Sequence, residues 1–176
     1  MISFDSGIIE RCRKGERRAQ MQMYTTFYKR VYNTCFRVLR DSAEAEDTMQ
    51  DAFLKAFSGL DSYSDSVPFE AWLVRIAINA SIDKLRRRNM EMTELHENMN
   101  YDIADTDDNV DWEQIMEKVG QVRSAIDKLP ESSRLIINLY LIEGYDHEEI
   151  AEILSIAPGT ARIQYMRAKQ RLIELI

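Results

Sequence analysis

Asp146-His147-Glu148-Glu149-Ile150-Ala151-Glu152-Ile153-Leu154-Ser155-Ile156-Ala157-Pro158-Gly159-Thr160 is the stretch whose reading decides the fold. Asp146 followed three residues later by Glu149 is a capping box, in which each side chain takes a backbone N–H at a helix start. The helix it opens runs through Leu154. Ser155-Ile156-Ala157 forms a tight connection, and Pro158 suits the first position of a new helix, where its missing N–H would go unbonded anyway. Two short helices joined this closely predict a helix-turn-helix. Ala157 stands at the cap of the second helix without a side-chain acceptor, which costs about 0.5–2 kcal/mol relative to Ser or Thr.

Working outward, the last helix separates into two faces. Ala161, Tyr165, Ala168 and Leu172 recur at helical spacing and form the packing face. Arg162, Ile163, Met166 and Arg167 share another face, with Thr160 at the N-terminal end. From Pro158 to Ile176 there are four basic residues and one acid. A DNA-recognition helix needs this combination: a positive helix start near phosphate, Arg for base edges, and apolar groups for thymine methyls. A basic surface helix without a ligand is the plainer alternative, and the preceding turn favours recognition. Upstream, Leu129-Pro130 breaks one helix, and Glu131 to Glu143 forms the next, ended by Gly144.

The first half reads as a helical bundle. Glu16 to Leu39 lacks Pro and Gly, which predicts one or two long helices. Asp41 with Glu44 predicts a second capping box. In the helix that follows, Met49, Ala52, Phe53, Ala56 and Phe57 define a buried stripe, and Gly59 stops it. Asp47, Gln50, Asp51 and Leu54 lie opposite, as a solvated face or, given an exposed Leu among acids, a partner surface. A turn-rich loop from Gly59 to Pro68 carries Asp61, Tyr63 and Asp65. The helix starting near Phe69 buries Phe69, Trp72, Leu73, Ile76, Ala77 and Ala80. Arg75, Asn79 and Arg86 fall in an arc about 40° wide beside that stripe. Lys84 and Arg86-Arg87-Arg88 suit the negative end of the helix dipole. Asn79 has no propensity reason to sit in mid-helix.

The chain has 176 residues, 45% hydrophobic and 30% charged, a globular composition with only six Gly and three Pro, which favours helices over a turn-rich β fold. The net charge of −7 argues, taken alone, against a nucleic-acid binder. It is unevenly spread. Residues 1–92 carry a balance of +2, residues 93–120 one of −8, and residues 121–176 one of −1. The middle segment, with Asp105, Asp107, Asp108 and Asp111, reads as an acidic, mobile linker or a plain solvated spacer. A calcium loop started at Asp107 fails, because Trp112 stands where Gly is needed and Lys118 where a bidentate Glu is needed. Cys12 and Cys35 lack the paired spacing of a zinc site and predict small buried residues of a reduced, intracellular protein. No signal peptide or membrane span is visible, so a cytoplasmic protein is expected. His96 and His147 are isolated, and no nucleophile elbow, phosphate loop or metal pair supports an enzyme; no cofactor or metal is expected.

Three motifs carry a family resemblance. Phe69-Glu70-Ala71-Trp72-Leu73-Val74-Arg75-Ile76-Ala77-Ile78-Asn79, with Asp83 and Arg86-Arg87, resembles the promoter-melting region of bacterial extracytoplasmic-function (ECF) sigma factors. Ala45-Glu46-Asp47-Thr48-Met49-Gln50-Asp51-Ala52-Phe53 resembles their polymerase-clamp-binding helix. Leu129-Pro130, Gly144, Glu148 to Leu154 and Gly159-Thr160 resemble their C-terminal promoter-binding domain. The likeness runs from about Ile8 to Leu172. It implies an all-α protein of two small helical domains, a promoter-melting bundle over 1–92 and a helix-turn-helix over 122–176, joined by an acidic linker over 93–121.

The implied function is transcription initiation: binding core RNA polymerase and directing it to promoters. Asp47, Gln50, Asp51 and Leu54 would face the polymerase clamp helices. Asp61, Tyr63, Asp65, Arg75, Asn79 and Arg86 would serve the minus-ten element, with Asn79 and the loop capturing a flipped base. Thr160, Arg162, Ile163, Met166 and Arg167 would read the minus-thirty-five element. The implied partners are polymerase at its clamp, flap and RNA exit path, promoter DNA and an anti-sigma factor, with no membrane insertion. Ile163-Gln164 replaces the family's usual Ser-Arg pair, which removes one basic contact. A stand-alone helix-turn-helix regulator is the alternative, and it leaves the Asp47 face and the Asn79 arc unused.

Overall fold

The computed structural model describes residues 6–64, 66–92 and 113–176. Asp65 and the core of the acidic segment, 93–112, lie outside the described residues. The chain divides into two compact units, residues 1–95 and 96–176. All regular structure among the described residues is helical.

The first unit holds α1 (Ser6–Arg13), α2 (Arg17–Leu39), α3 (Ser42–Gly59) and α4 (Phe69–Met92). α2 is one continuous helix of 23 residues. It turns into α3 through Arg40, whose φ of 58° is left-handed. Asp41 caps α3 by accepting the Glu44 N–H at 2.8 Å. The second half of the expected capping box does not form. The Glu44 carboxylate instead meets Arg88 at 3.1 Å, so one acid ties the start of α3 to the end of α4. Arg88 also donates to Leu39 O, which joins α2 to the same corner.

The expected stripe on α3 is the buried one, with Met49, Ala52, Phe53 and Ala56 inside and Phe57 partly so. α4 is buried more widely than one stripe predicts. Beyond Phe69, Leu73, Ala77 and Ala80, it also encloses Val74, Ile78, Ser81, Ile82 and Leu85. The cause is its position: α4 packs against both α2 and α3, so two of its flanks leave water. Cys12 and Cys35 are buried, as their composition implied, and burial pushes the Cys35 thiol up to about 11.

The second unit holds α5 (Glu113–Asp127), α6 (Glu131–Ile137), α7 (His147–Leu154) and α8 (Pro158–Glu174). α5 starts at Glu113, inside the stretch assigned to the linker, because acidic composition there hid a segment able to form helix. The helix expected over Glu131–Glu143 is not uniform. After Ile137 it widens into a π-helical turn, Asn138–Ile142, where the Glu143 N–H reaches back five residues to Asn138 O. Gly144, at φ 80°, then ends it. The capping box at Asp146 is complete: its carboxylate accepts from Glu148 and Glu149, and Glu149 accepts from the Asp146 N–H at 2.9 Å. α7 and α8 are joined through Ser155, another left-handed residue at φ 56°. Ile136, Ile137, Leu139, Ile150, Ile153, Ala161, Tyr165 and Leu172 form the buried interior of this unit.

Candidate nucleic-acid interface

The groove where α3 ends beside α4 contains Asn79. Asn79 is exposed and borders a cavity of about 310 Å³ with Lys55, Gly59, Ser62, Trp72, Ile76 and Asp83. Its chemistry is mixed: an amide, an ammonium, a hydroxyl and a carboxylate around the edge of an indole. Such a lining can hydrogen-bond the edge of a planar polar group and stack on its face. A Cβ added at Gly59 would stand 3.8 Å from Ser62 Oγ and 3.9 Å from the Trp72 ring, ordinary contact distances at this wall. A second cavity, about 340 Å³, adjoins it along α3 and α4 and shares Lys55, Ala80 and Asp83. Arg75 is half-buried and Arg86 is exposed, and neither borders the Asn79 cavity. The helical arc therefore located Asn79, while its neighbours in space come from three elements.

The loop that follows α3 begins as a single 3-10 turn, Leu60–Ser62. Asp61 is exposed, and Asp65 lies outside the described residues. Tyr63, expected among the minus-ten residues, lies inside the loop rather than on its surface. It is buried, packs edge-on against Phe69 and beside Trp72, and donates its hydroxyl to Val67 O at 2.8 Å. Its role is to close the loop from within. A lone Tyr in a polar loop gives no spacing signal that separates these two uses.

On the outer side of α3, Asp47, Gln50, Asp51 and Leu54 are all exposed, Leu54 by 66%. Lys84 of α4 approaches Asp47 at 3.7 Å, an exposed pair of small energetic weight.

In the second unit, Thr160, Arg162, Ile163, Met166 and Arg167 are all exposed on α8. Ala161, Tyr165, Ala168 and Leu172 are buried on its other side. The helix start has Pro158 at its first position and no side-chain cap at Ala157. Arg171 instead donates to Ser133 Oγ at 3.2 Å and helps seat α8 on α6. The π-helical turn places Tyr140 4.9 Å from the His147 ring and 4.2 Å from Tyr165, so an aromatic cluster braces α6, α7 and α8 together.

Residues 23–90 match the Sigma-70 region 2 family, and residues 120–172 match Sigma-70, region 4. ECF RNA polymerase sigma-E factor of Escherichia coli is 30% identical, with 96% of this chain and 92% of that protein covered. The chain belongs to the ECF sigma factor family. ECF RNA polymerase sigma factor SigW of Bacillus subtilis is 29% identical, over 93% of this chain and 92% of its own. Among solved structures, the sigma factor RpoE in complex with the anti-sigma factor NepR from Bartonella quintana has a TM-score of 0.61 at 24% identity, covering 88% of this chain and 94% of that one. CnrH in complex with the cytosolic domain of CnrY has a TM-score of 0.55 at 22% identity, covering 96% and 94%. These likenesses are of fold. Membership makes this sigma factor a transcription initiation factor. No helix among its described residues is long and apolar enough to cross a membrane.

Proposed function

We propose that this ECF sigma factor binds core RNA polymerase through the outer face of α3, captures a minus-ten base in the groove beside Asn79, and reads the minus-thirty-five element with α8. The observation that carries it is Asn79, exposed at the rim of a cavity that also offers Lys55, Ser62 and Trp72. Flipping a base out of the stack costs a few kcal/mol, and a shaped polar pocket with one aromatic wall offsets that cost. Asp61, exposed and next in sequence to the cavity residue Ser62, is assigned to the loop side of the site, and Asp65 to the same loop by sequence position. Arg75 and Arg86, outside the cavity, suit the phosphates on either side of the captured base.

Asp47, Gln50, Asp51 and Leu54 offer a partner an apolar centre ringed by acids and an amide, which fits a basic helical surface of the polymerase clamp. Exposed Ile163 and Met166 between Arg162 and Arg167 give α8 both hydrogen-bond donors and methyl contacts for the major groove. The polymerase flap and RNA exit path are the further surfaces assigned to the second unit and the acidic segment. An anti-sigma factor is assigned as the inhibitor because RpoE, a sigma factor of similar fold, is seen in complex with the anti-sigma factor NepR. Action on polymerase supports a cytoplasmic location.

Transcription by purified core polymerase with and without this chain tests the reading. Promoter-specific transcripts that require the chain, with permanganate-reactive thymines at the minus-ten position, are expected. A dimer that binds a palindrome and shows no affinity for core polymerase would overturn it in favour of a stand-alone regulator.

A further inference from the structure

We propose that Arg13 is a positioning residue for minus-ten base capture, acting from α1 on the loop beside the Asn79 groove. This inference rests on the base-capture reading given above. Arg13 lies upstream of residues 23–90, the part matched by the region 2 family. Its Nε donates to Leu60 O at 3.0 Å and its Nη2 donates to Tyr63 O at 2.9 Å. These two carbonyls bracket Asp61 and Ser62, so one guanidinium grips both ends of the 3-10 turn that opens the loop. The geometry suits Arg rather than Lys, because a planar fork offers two donors in fixed relation.

The grip is itself anchored. α1 has only eight residues, too short to hold helix alone, and it docks through buried Ile9 and Cys12. Arg11 pairs with Glu16 across the Gly15 corner, which fixes the junction of α1 with α2. Glu10 stands 3.4 Å from Arg13 Nη1 and helps orient the guanidinium. At the far end of the loop, the Tyr63 hydroxyl holds Val67 O. Between these two restraints, Asp61, Ser64 and Ser66 are exposed, and the two serine hydroxyls lie 2.7 Å apart. The loop is thus fastened by its backbone and buried Tyr63, leaving its polar side chains outward. Ser62, inside the bracketed turn, borders the Asn79 cavity directly. Releasing the Leu60 and Tyr63 carbonyls lets this wall of the cavity shift, without touching α3, α4 or α8.

The test uses holoenzyme assembled from core polymerase and the full chain. A pool of single-stranded oligonucleotides with six randomised positions is selected for binding and sequenced. The wild type is compared with Arg13→Ala, Arg13→Lys and the loop double variant Asp61→Ala/Ser64→Ala, and melting temperature and core affinity are measured for each. Arg13→Ala is expected to flatten base preference about tenfold at the same position as the loop variant, and by less than about twofold elsewhere. Arg13→Lys, which keeps the charge and one donor direction, recovers part of that preference.

If the loop variant flattens one position and Arg13→Ala does not, the positioning role is wrong and base capture stands. If neither flattens any position, the base-capture reading itself falls, and this inference with it. Uniform loss at all positions in both Arg13 variants, with lowered melting temperature, assigns Arg13 to stability alone and overturns the proposal.

Discussion

The two units present their candidate contacts in different ways. In the second, five side chains project from a single helix, α8, whose other side is buried. In the first, Asn79 of α4 meets Lys55 and Gly59 of α3 and Ser62 of the loop, and the loop is held in turn by Arg13 of α1. A surface built on one helix is as precise as that helix and tolerates losses one contact at a time. A cavity built at a junction depends on every element that walls it, so single changes remove more. The first suits additive reading of duplex DNA, and the second suits an all-or-none step such as capture of an unstacked base.

The difference predicts a ranking, with Asn79→Ala at the top. Capture must offset a few kcal/mol of unstacking, so loss of the amide is expected to slow open-complex formation about a hundredfold. Affinity for core polymerase should stay within about twofold, because Asn79 is not among Asp47, Gln50, Asp51 and Leu54, the exposed residues assigned to that contact. Permanganate reactivity and a polymerase-binding titration, run on the same preparations, separate the two. Equal losses would make Asn79 a fold residue and erase the contrast between the units.

Arg162→Ala ranks next. One good base contact contributes about 1–3 kcal/mol, so the minus-thirty-five preference at one position should fall about thirtyfold, with neighbouring positions unchanged. An unchanged promoter profile would take Arg162 off the reading face. A collapse at several positions at once would show that α8 behaves like the junction site after all.

Gly59 sharpens the comparison from the cavity side. Its φ of −98° is open to any residue, and an added Cβ meets only ordinary contacts near Ser62 and Trp72. Gly59→Ala should therefore fold and capture normally, whereas Gly59→Leu should fold and lose about tenfold in open-complex formation by filling the space beside Asn79. Thermal melting and permanganate reactivity report these separately. Full activity of the Leu variant would mean that the space it fills is not used.

The same contrast governs what could be read before the structure. Local pattern exposed much that lies along one helix: the α3 stripe, the two faces of α8, the caps at Asp41 and Asp146, and the break at Leu129-Pro130. It missed what is assembled across the chain. Arg13 meets carbonyls 47 and 50 residues away, and no local spacing encodes such a contact. The burial of Tyr63 could not be read from its loop, because it depends on Phe69 and Trp72 arriving from α4. Val74, Ile78 and Ile82 fell outside the expected stripe because α4 is covered on two flanks. The π-helical turn at Asn138 leaves the composition of a helix intact and changes only its register.

The smallest effect belongs to the single-helix site and concerns its foundation. Ala157 begins α8 in extended backbone, φ −70° and ψ 144°, the conformation in which a Ser hydroxyl accepts from the N–H two or three residues ahead. Ala157→Ser should stabilise the helix-turn-helix by about 1 kcal/mol, read as a higher urea midpoint at unchanged slope. Base preference should not move, because Pro158 and the Tyr165 contacts with Tyr140 and His147 already set the direction of α8. If stability rises and the minus-thirty-five profile changes with it, the start of α8 is shared between folding and recognition. The second unit would then resemble the first, with a reading surface tuned by a residue that touches no base.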